Sequence, residues 1–473
     1  MRNILILFLV IMILPFIPKL SAQSDDRPVF QVANYIQMVQ EQYPLIELAN
    51  IQTDIGDATL LQRKGAFDVV LGTDYSQKFF SESNYYRIFN GGAQWQSPYA
   101  FKLQAGVDLA DGIYLNPERN FPSSGLGYMG ITMPLGQGLL IDKARAGLRD
   151  GELFQELQMQ KRLQFRNEIM SLALIAYFEW IQADQLYRTY TEIAEAAQDR
   201  YEFVILAYEG GDLAPVDTLE ASMQLRQRQL ELLAAQNKRL SAQANIQNFI
   251  PSFNLSEWQS PSFDEISALW QSRSSEFWTN SLLEHPKIID LQIERERILI
   301  DRRLARESLK PKVDLKYQWL NSLNQIRTGD INTTLSPNDY SWGISFAYPI
   351  PLRAARGKMQ LNKIKQFENQ FKSSQLKQEL EARMEALLEI QANFQDIIQD
   401  YGVLIDDFRR LLQAERSMFE IGESSLFLVN TRENRLLKAQ VTYINLQYSA
   451  FKNLLNIAKT SGNLEGNLNL VNE

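Results

Sequence analysis

The residues of this chain best placed to do chemistry are acids gathered at two glycine turns. From Tyr201 to Leu225 stand Glu202, Glu209, Asp212, Asp217 and Glu220, with no lysine or arginine among them. From Ser417 to Thr431 stand Glu420 and Glu423, again without a base. Solvated turns and helix caps account for such acids with no further role, and for Asp217 and Glu220 capping suffices. The alternative is electrostatic. If copies of the chain repeat these turns around an axis, carboxylates concentrate at one narrow end, favour cations and offer contacts to a partner. Asp212 and Glu423 are the best candidates for that role.

Other chemistry is poorly represented. The chain has no cysteine, which excludes disulfides, thiolate metal sites, cysteine nucleophiles and a lipid anchor on cysteine. The single histidine, His285, precedes Pro286 at an expected helix start; alone it cannot build a metal cluster and is read as structural. Neither a glycine-rich phosphate loop nor a nucleophile elbow is present. Asp406 and Asp407 lie at helical spacing beside Arg409 and Arg410, as ordinary surface charges do. No enzyme activity, cofactor or metal is expected.

The elements that must position the turns are two very long helices. Between Gly151 and Gly210 there are 58 residues without glycine or proline. One helix of that length would run ~87 Å at ~1.5 Å per residue. From Gly357 to Gly422 the only interruption is Gly402, and no proline follows Pro351. Each run ends in a similar turn, Tyr208-Glu209-Gly210-Gly211-Asp212 and Phe419-Glu420-Ile421-Gly422-Glu423.

The N-terminus reads as a secretory signal over residues 1–23, with Arg2, an apolar run from Ile4 to Phe16, and small residues near Ser21-Ala22. No other stretch is apolar and long enough to be a spanning helix. The net charge of −8 argues against binding a phosphate backbone.

Strand patterning occurs elsewhere. Odd positions from Phe67 to Phe79 are mostly apolar, and Asp68, Gly72, Asp74, Ser76 and Lys78 alternate with them. Val313, Leu315, Tyr317 and Trp319 alternate with polar residues, as do Tyr340, Trp342, Ile344, Phe346 and Tyr348. Gly125–Leu135 is a glycine-rich return strand, and Tyr99–Leu109 is read as part of an outer loop hairpin. Helices are expected over Val29–Lys64, Thr218–Phe249, Phe263–Trp278, His285–Leu309 and Thr431–Thr460. Two short helices stacked end to end should lie beside each long one: the helix after the first turn with that before the second strand pair, and the first helix with the last.

The order helix, strands, long helix, turn, helix therefore occurs twice. Tyr43-Pro44-Leu45-Ile46 matches His285-Pro286-Lys287-Ile288, and Asp217-Thr218-Leu219-Glu220 matches Asn430-Thr431-Arg432-Glu433 as a second capping box. Such ordered matches point to a tandem duplication, with repeats at 24–261 and 262–460 and a flexible polar tail at 461–473.

Strands with one apolar, aromatic-rich face and one small or polar face suit a membrane barrel with a wet lumen. A barrel must close, and four strands cannot close around a pore. Three copies would give twelve. The expected fold is thus an α+β membrane protein: a long helical periplasmic barrel joined to a β-barrel of four strands per protomer of a trimer.

Over essentially the whole mature chain this organisation resembles the TolC-like outer membrane efflux proteins. The resemblance rests on the duplication, on Met133-Pro134-Leu135-Gly136-Gln137-Gly138 opening the long helix, and on the stretch from Gly211 to Ala221 at the turn. It implies a homotrimeric exit duct in the outer membrane of a Gram-negative cell, extending into the periplasm. The duct would pass small molecules or polypeptides, as in tripartite efflux or type I secretion, with a periplasmic adaptor and an inner-membrane pump as partners. It also implies that the turns are the pore's closed end and adaptor contact, marked by Gly211, Asp212 and Asp217 on the first and Gly422, Glu423, Leu426 and Val429 on the second. The family's aspartate ring after the second turn is not matched, since Leu428, Asn430 and Thr431 stand there. The rival from another class is a periplasmic coiled-coil scaffold or pump adaptor without a pore.

Overall fold

The computed structural model describes residues 27–119, 121–269, 273–324, 338–464 and 466; the expected signal (1–23) and residues 467–473 of the expected tail lie outside the described residues. Two helices dominate. Helix α3 runs Lys143–Glu209 (67 residues) and α8 runs Arg353–Glu420 (68 residues), with shorter partners on the same rod. These are α1 (Val32–Gln42), α2 (Pro44–Lys64), α4 (Pro215–Gln247), α5 (Phe263–Leu269), α6 (Ser275–Ser281), α7 (Pro286–Glu307) and α9 (Leu426–Thr460). The start of α3 is fixed locally: the Asp142 carboxylate accepts from the Arg145 N–H at 2.8 Å, which satisfies one of the first-turn donors.

The helix expected over Val29–Lys64 is two. Pro44 lacks an N–H and disfavours helical backbone at the residue before it, so Tyr43 is extended (φ −80°, ψ 118°) and the chain restarts at α2. The one expected over Phe263–Trp278 is likewise α5 and α6, with 270–272 between them outside the described residues.

Near the strands the helices lie side by side as α2–α3–α7–α8; near the turns the order is α4–α3–α9–α8. The short helices therefore stack as α2 on α4 and α7 on α9, not in the pairs expected from lengths alone. Both joints are closely packed. Tyr43, before α2, lies 4.9 Å ring to ring from Phe249, after α4. Gly462, after α9, sits at φ +88° against Pro286 and His285, so close that a Cβ there would fall 2.5 Å from the Pro286 ring. The matched motifs Tyr43-Pro44 and His285-Pro286 are these two joints. A shared core wraps them, with Phe30, Tyr35, Tyr177, Phe178, Trp180, Phe263 and Phe451 buried around the middle of α3. Each such side chain contributes roughly 1.5–3 kcal/mol by leaving water. Ser461 and Leu464 belong to the same packing, and the Leu464 N–H donates to Asn167 at 3.2 Å. The tail expected from residue 461 is thus anchored at its start.

All strands gather at the other end in one antiparallel sheet, ordered β1 (Val69–Phe80), β2 (Ser83–Gln96), β3 (Lys102–Asp111), β4 (Leu126–Pro134), β5 (Lys312–Ser322) and β6 (Tyr340–Ala347). The sheet has six strands where four were expected. Strand β3 covers the strand read as part of an outer loop hairpin, and β2 falls where no strand was foreseen. The reason is local: Arg87 and Gly91 break up the apolar positions of β2, while Tyr86 and Ile88 stand at polar ones. The period of two is legible only once β1 and β3 flank it.

Candidate functional site

The two turns are built alike. After α3, Gly211 adopts φ +86°, its N–H donates to the Tyr208 carbonyl at 3.0 Å, and the Asp212 N–H donates to Ala207 at 2.9 Å. After α8, Gly422 adopts φ +77°, its N–H donates to Phe419 at 3.0 Å, and the Glu423 N–H donates to Met418 at 2.9 Å. Both are Schellman ends, which need a left-handed residue that glycine adopts without a Cβ penalty. Gly211, Asp212, Gly422 and Glu423 are all exposed. The turns lie side by side, with the rings of Phe203 and Phe419 6.4 Å apart.

The expected capping boxes are placed otherwise. Helix α4 begins at Pro215, so Asp217 is its third residue and its carboxylate accepts the Ala214 N–H at 3.0 Å. Helix α9 begins at Leu426 behind a Ser425 cap, which puts Asn430 and Glu433 inside the helix and buried. Proline at the first helical position of α4, and serine before α9, start the helices earlier than the Asx residues would. Leu426 and Val429 are 3% and 2% exposed; Leu426 packs with Val204 and Ala221 across the two hairpins, and Val429 packs with Ile405 and Leu412 inside the second.

Behind the turns is a polar cluster that joins four helices. Arg200 of α3 donates to Asn430 Oδ1 at 2.9 Å and pairs with Glu433, while Arg416 of α8 reaches the same Glu433 carboxylate at 3.3 Å. Asn430 in turn donates to Glu220 of α4 at 3.0 Å. Beside it, the Arg432 Nε–H donates to Glu415 at 3.2 Å. This cluster was not foreseen, because the acid-only stretch starts one residue after Arg200 and Asn430 was read as a cap.

At the other end the register lays out two adjacent apolar rows on one face, next to a mixed row of Thr73, Gly91, Val107, Gly127 and Asn321. Val69, Trp95, Leu103, Ile131, Tyr317 and Trp342 form a single row across all six strands, and the next row holds Leu71, Ala93, Ala105, Met129, Trp319 and Tyr340. The opposite face reads Val70, Gln94, Gln104, Gly130, Gln318 and Ser341 in one row, polar or small in all but the first strand. Strands β1 and β6 have no further partner among the described residues. Leu71 is 79% exposed and Phe346 70%. No helix among the described residues is long and apolar enough to cross a membrane.

The helical rod also has open edges. Along α8, Ile390, Ile397, Leu404, Leu411 and Met418 recur every seven residues and are all partly or largely exposed. Along α4, Val216, Met223 and Leu230 recur every seven residues, with Leu219, Leu233 and Leu240 on the intervening heptad positions, and all are exposed. These are coiled-coil seams without a partner helix. His285 caps α7 by accepting the Lys287 N–H at Nδ1 (3.1 Å), and burial, with Lys287 nearby, lowers its pKa to about 4. No group of three or more metal-binding side chains occurs among the described residues.

A sheet with one greasy face and two open edges, carried on a long helical ribbon that is also open, defines the fold of outer-membrane channels. Solved structures share it. The chain superposes on the outer membrane channel CmeC of Campylobacter jejuni with a TM-score of 0.62 at 14% identity, covering 91% of this chain and 85% of that one. For VceC of Vibrio cholerae the TM-score is 0.63 at 15% identity, covering 91% and 95%. For the open state of Neisseria gonorrhoeae MtrE it is 0.64 at 12% identity, covering 91% and 89%. At these identities the likeness is one of fold, and the neighbours are channels rather than enzymes. No family model and no curated protein matches the chain.

Proposed function

We propose that the chain is one protomer of an outer-membrane exit duct, a homotrimer that spans from the membrane into the periplasm and passes solutes or polypeptides without an energy source of its own. The observation that carries this reading is the pair of unsatisfied edges at both levels of the molecule. Backbone groups at an open sheet edge cannot be left unpaired in lipid, so β1 and β6 require neighbouring copies. The seams on α4 and α8 lie on the two edges of the ribbon near the turns, where the same copies would cover them. Trimer stoichiometry follows the resemblance to the efflux family, as does the assignment of an adaptor and an inner-membrane pump at the turns.

At those turns Asp212 and Glu423 are exposed carboxylates that threefold repetition would multiply. Reconstituted in planar bilayers, the complex should conduct ions with a preference for cations, and the D212N/E423Q double variant should lose most of that preference. A complex that never conducts contradicts the duct. Unchanged selectivity in the variant contradicts the role of these two acids.

A further inference from the structure

The hairpin β2–β3 bears on the size of the duct, and the inference drawn from it rests on the duct reading above. We propose that β2 and β3 are part of the membrane wall, so that each copy contributes six strands and three copies enclose an eighteen-stranded pore.

Three observations carry this. First, the hairpin is paired along its length: β2 pairs with β1 from Trp95 to Ser83, with one bulge opposite Lys78 and Phe79, and with β3 from Gln96 to Arg87, and β3 pairs with β4 from Lys102 to Asp108. It leaves no route for β1 to pair with β4 directly. Secondly, its faces continue those of its neighbours. Trp95, Ala93, Phe89, Leu103, Ala105 and Val107 extend the apolar face, whereas Gln94, Asn90, Gln104 and Asp108 extend the polar one. On that polar face Tyr128 of β4 lies over Gly92 and Gly106; a Cβ at Gly106 would fall 2.7 Å from its hydroxyl, and one at Gly92 3.1 Å. The apolar face ends outward at the Arg87–Asp111 pair, as a membrane-spanning band should at the water boundary.

The third observation is geometric. The row that starts at Val69, the first residue of β1, arrives at Trp342, five residues short of the end of β6 at Ala347. A drift of five residues at ~3.3 Å over five steps of ~4.8 Å is a tilt of about 35°, within the range of closed barrels. At that tilt six strands span roughly 35 Å of circumference per copy. Four parallel helices at ~9–10 Å spacing span roughly 38 Å, so the two levels match. An even number of strands also places β6 antiparallel to β1 of the next copy, as closure requires.

Eighteen strands give a backbone diameter of about 34 Å, against about 22 Å for twelve at the same tilt. With ~5 Å of side chain on each side the lumen is about 24 Å wide, enough for a helical hairpin, since a single helix is ~10–12 Å across. The barrel therefore accepts bulky hydrated cargo and not only extended chains.

The absence of cysteine makes the test clean. Single substitutions Asn90→Cys, Gln94→Cys, Ala93→Cys and Ala105→Cys, each in the full chain in intact outer membranes, should divide by face. A membrane-impermeant maleimide should label Asn90→Cys and Gln94→Cys and leave Ala93→Cys and Ala105→Cys protected. Imaging of the detergent-solubilised complex should count eighteen strands. Equal labelling of both faces, or a twelve-stranded ring with the hairpin outside it, overturns this proposal and leaves the duct intact. A water-soluble monomer would instead overturn the duct itself.

Discussion

At the residue scale, His285 shows how a joint between stacked helices is held. Its ring closes the start of α7 while Gly462 presses on it from the end of α9. Lys161, Glu168, Lys287, Arg383 and Lys459 line the same recess, four cations to one acid, with Lys459 and Glu168 paired at 2.6 Å. Burial holds the folded pKa at about 4, below the usual 6.5. A histidine with a depressed folded pKa stabilises the fold fully above its unfolded value, and that contribution is lost as the pH falls from 6.5 towards 4. The loss is up to about 3 kcal/mol over that window. Thermal unfolding between pH 7 and 4 should show it, and His285→Gln, which keeps an acceptor near the Lys287 N–H, should flatten the pH dependence. An equally steep curve in the variant would contradict the assignment. Sequence alone singled out this histidine as structural, because Pro286 marks a helix start. It could not show the depressed pKa, which comes from the far end of the chain packing on it.

At the element scale, the hairpin ends depend on a buried ionic cluster. Arg200 and Glu433 are nearly inaccessible (12% and 3% of their side chains exposed), and Arg416 shares the same carboxylate. Breaking such a pair strands a buried charge, at a cost of about 3–5 kcal/mol. Arg200→Ala should therefore lower the melting temperature and expose the turns to protease near Gly211 and Gly422. Lys372→Ala, which removes a surface pair with Glu368, should change neither, since solvent screens an exposed pair. Protease resistance equal to that of the parent in Arg200→Ala would refute the role given to the cluster. The long helices and their glycine turns were plain in the sequence, since runs without glycine or proline and a left-handed glycine are local signals. The start of α9 was not: Asn430 has a cap's side chain, and only packing from α3 and α4 shows that it is an interior residue bridging Arg200 and Glu220. Strand β2 was invisible for a similar reason, its alternation being blurred by Arg87, Ile88 and Gly91.

At the scale of the whole molecule, the same incompleteness is written at both ends. The sheet exposes β1 and β6, and the ribbon exposes the heptad seams of α4 and α8. Copies of the chain satisfy both at once only if they close in a ring with the same number of members at each level. Placing aspartate at two seam positions, as in Ile397→Asp with Leu404→Asp, should abolish assembly while leaving the protomer core untouched, because these residues lie outside the buried clusters. The overall class was legible from the sequence through the order of its elements and their duplication. The six-strand wall was not, since it depends on register between segments that have little pattern of their own.

The most direct test is the mass of the complex extracted from outer membranes in mild detergent, measured on the full chain and on the Ile397→Asp/Leu404→Asp variant. The account predicts a membrane-bound assembly of three protomers for the parent and lone protomers for the variant. A parent chain that stays in the soluble fraction as a monomer would contradict it.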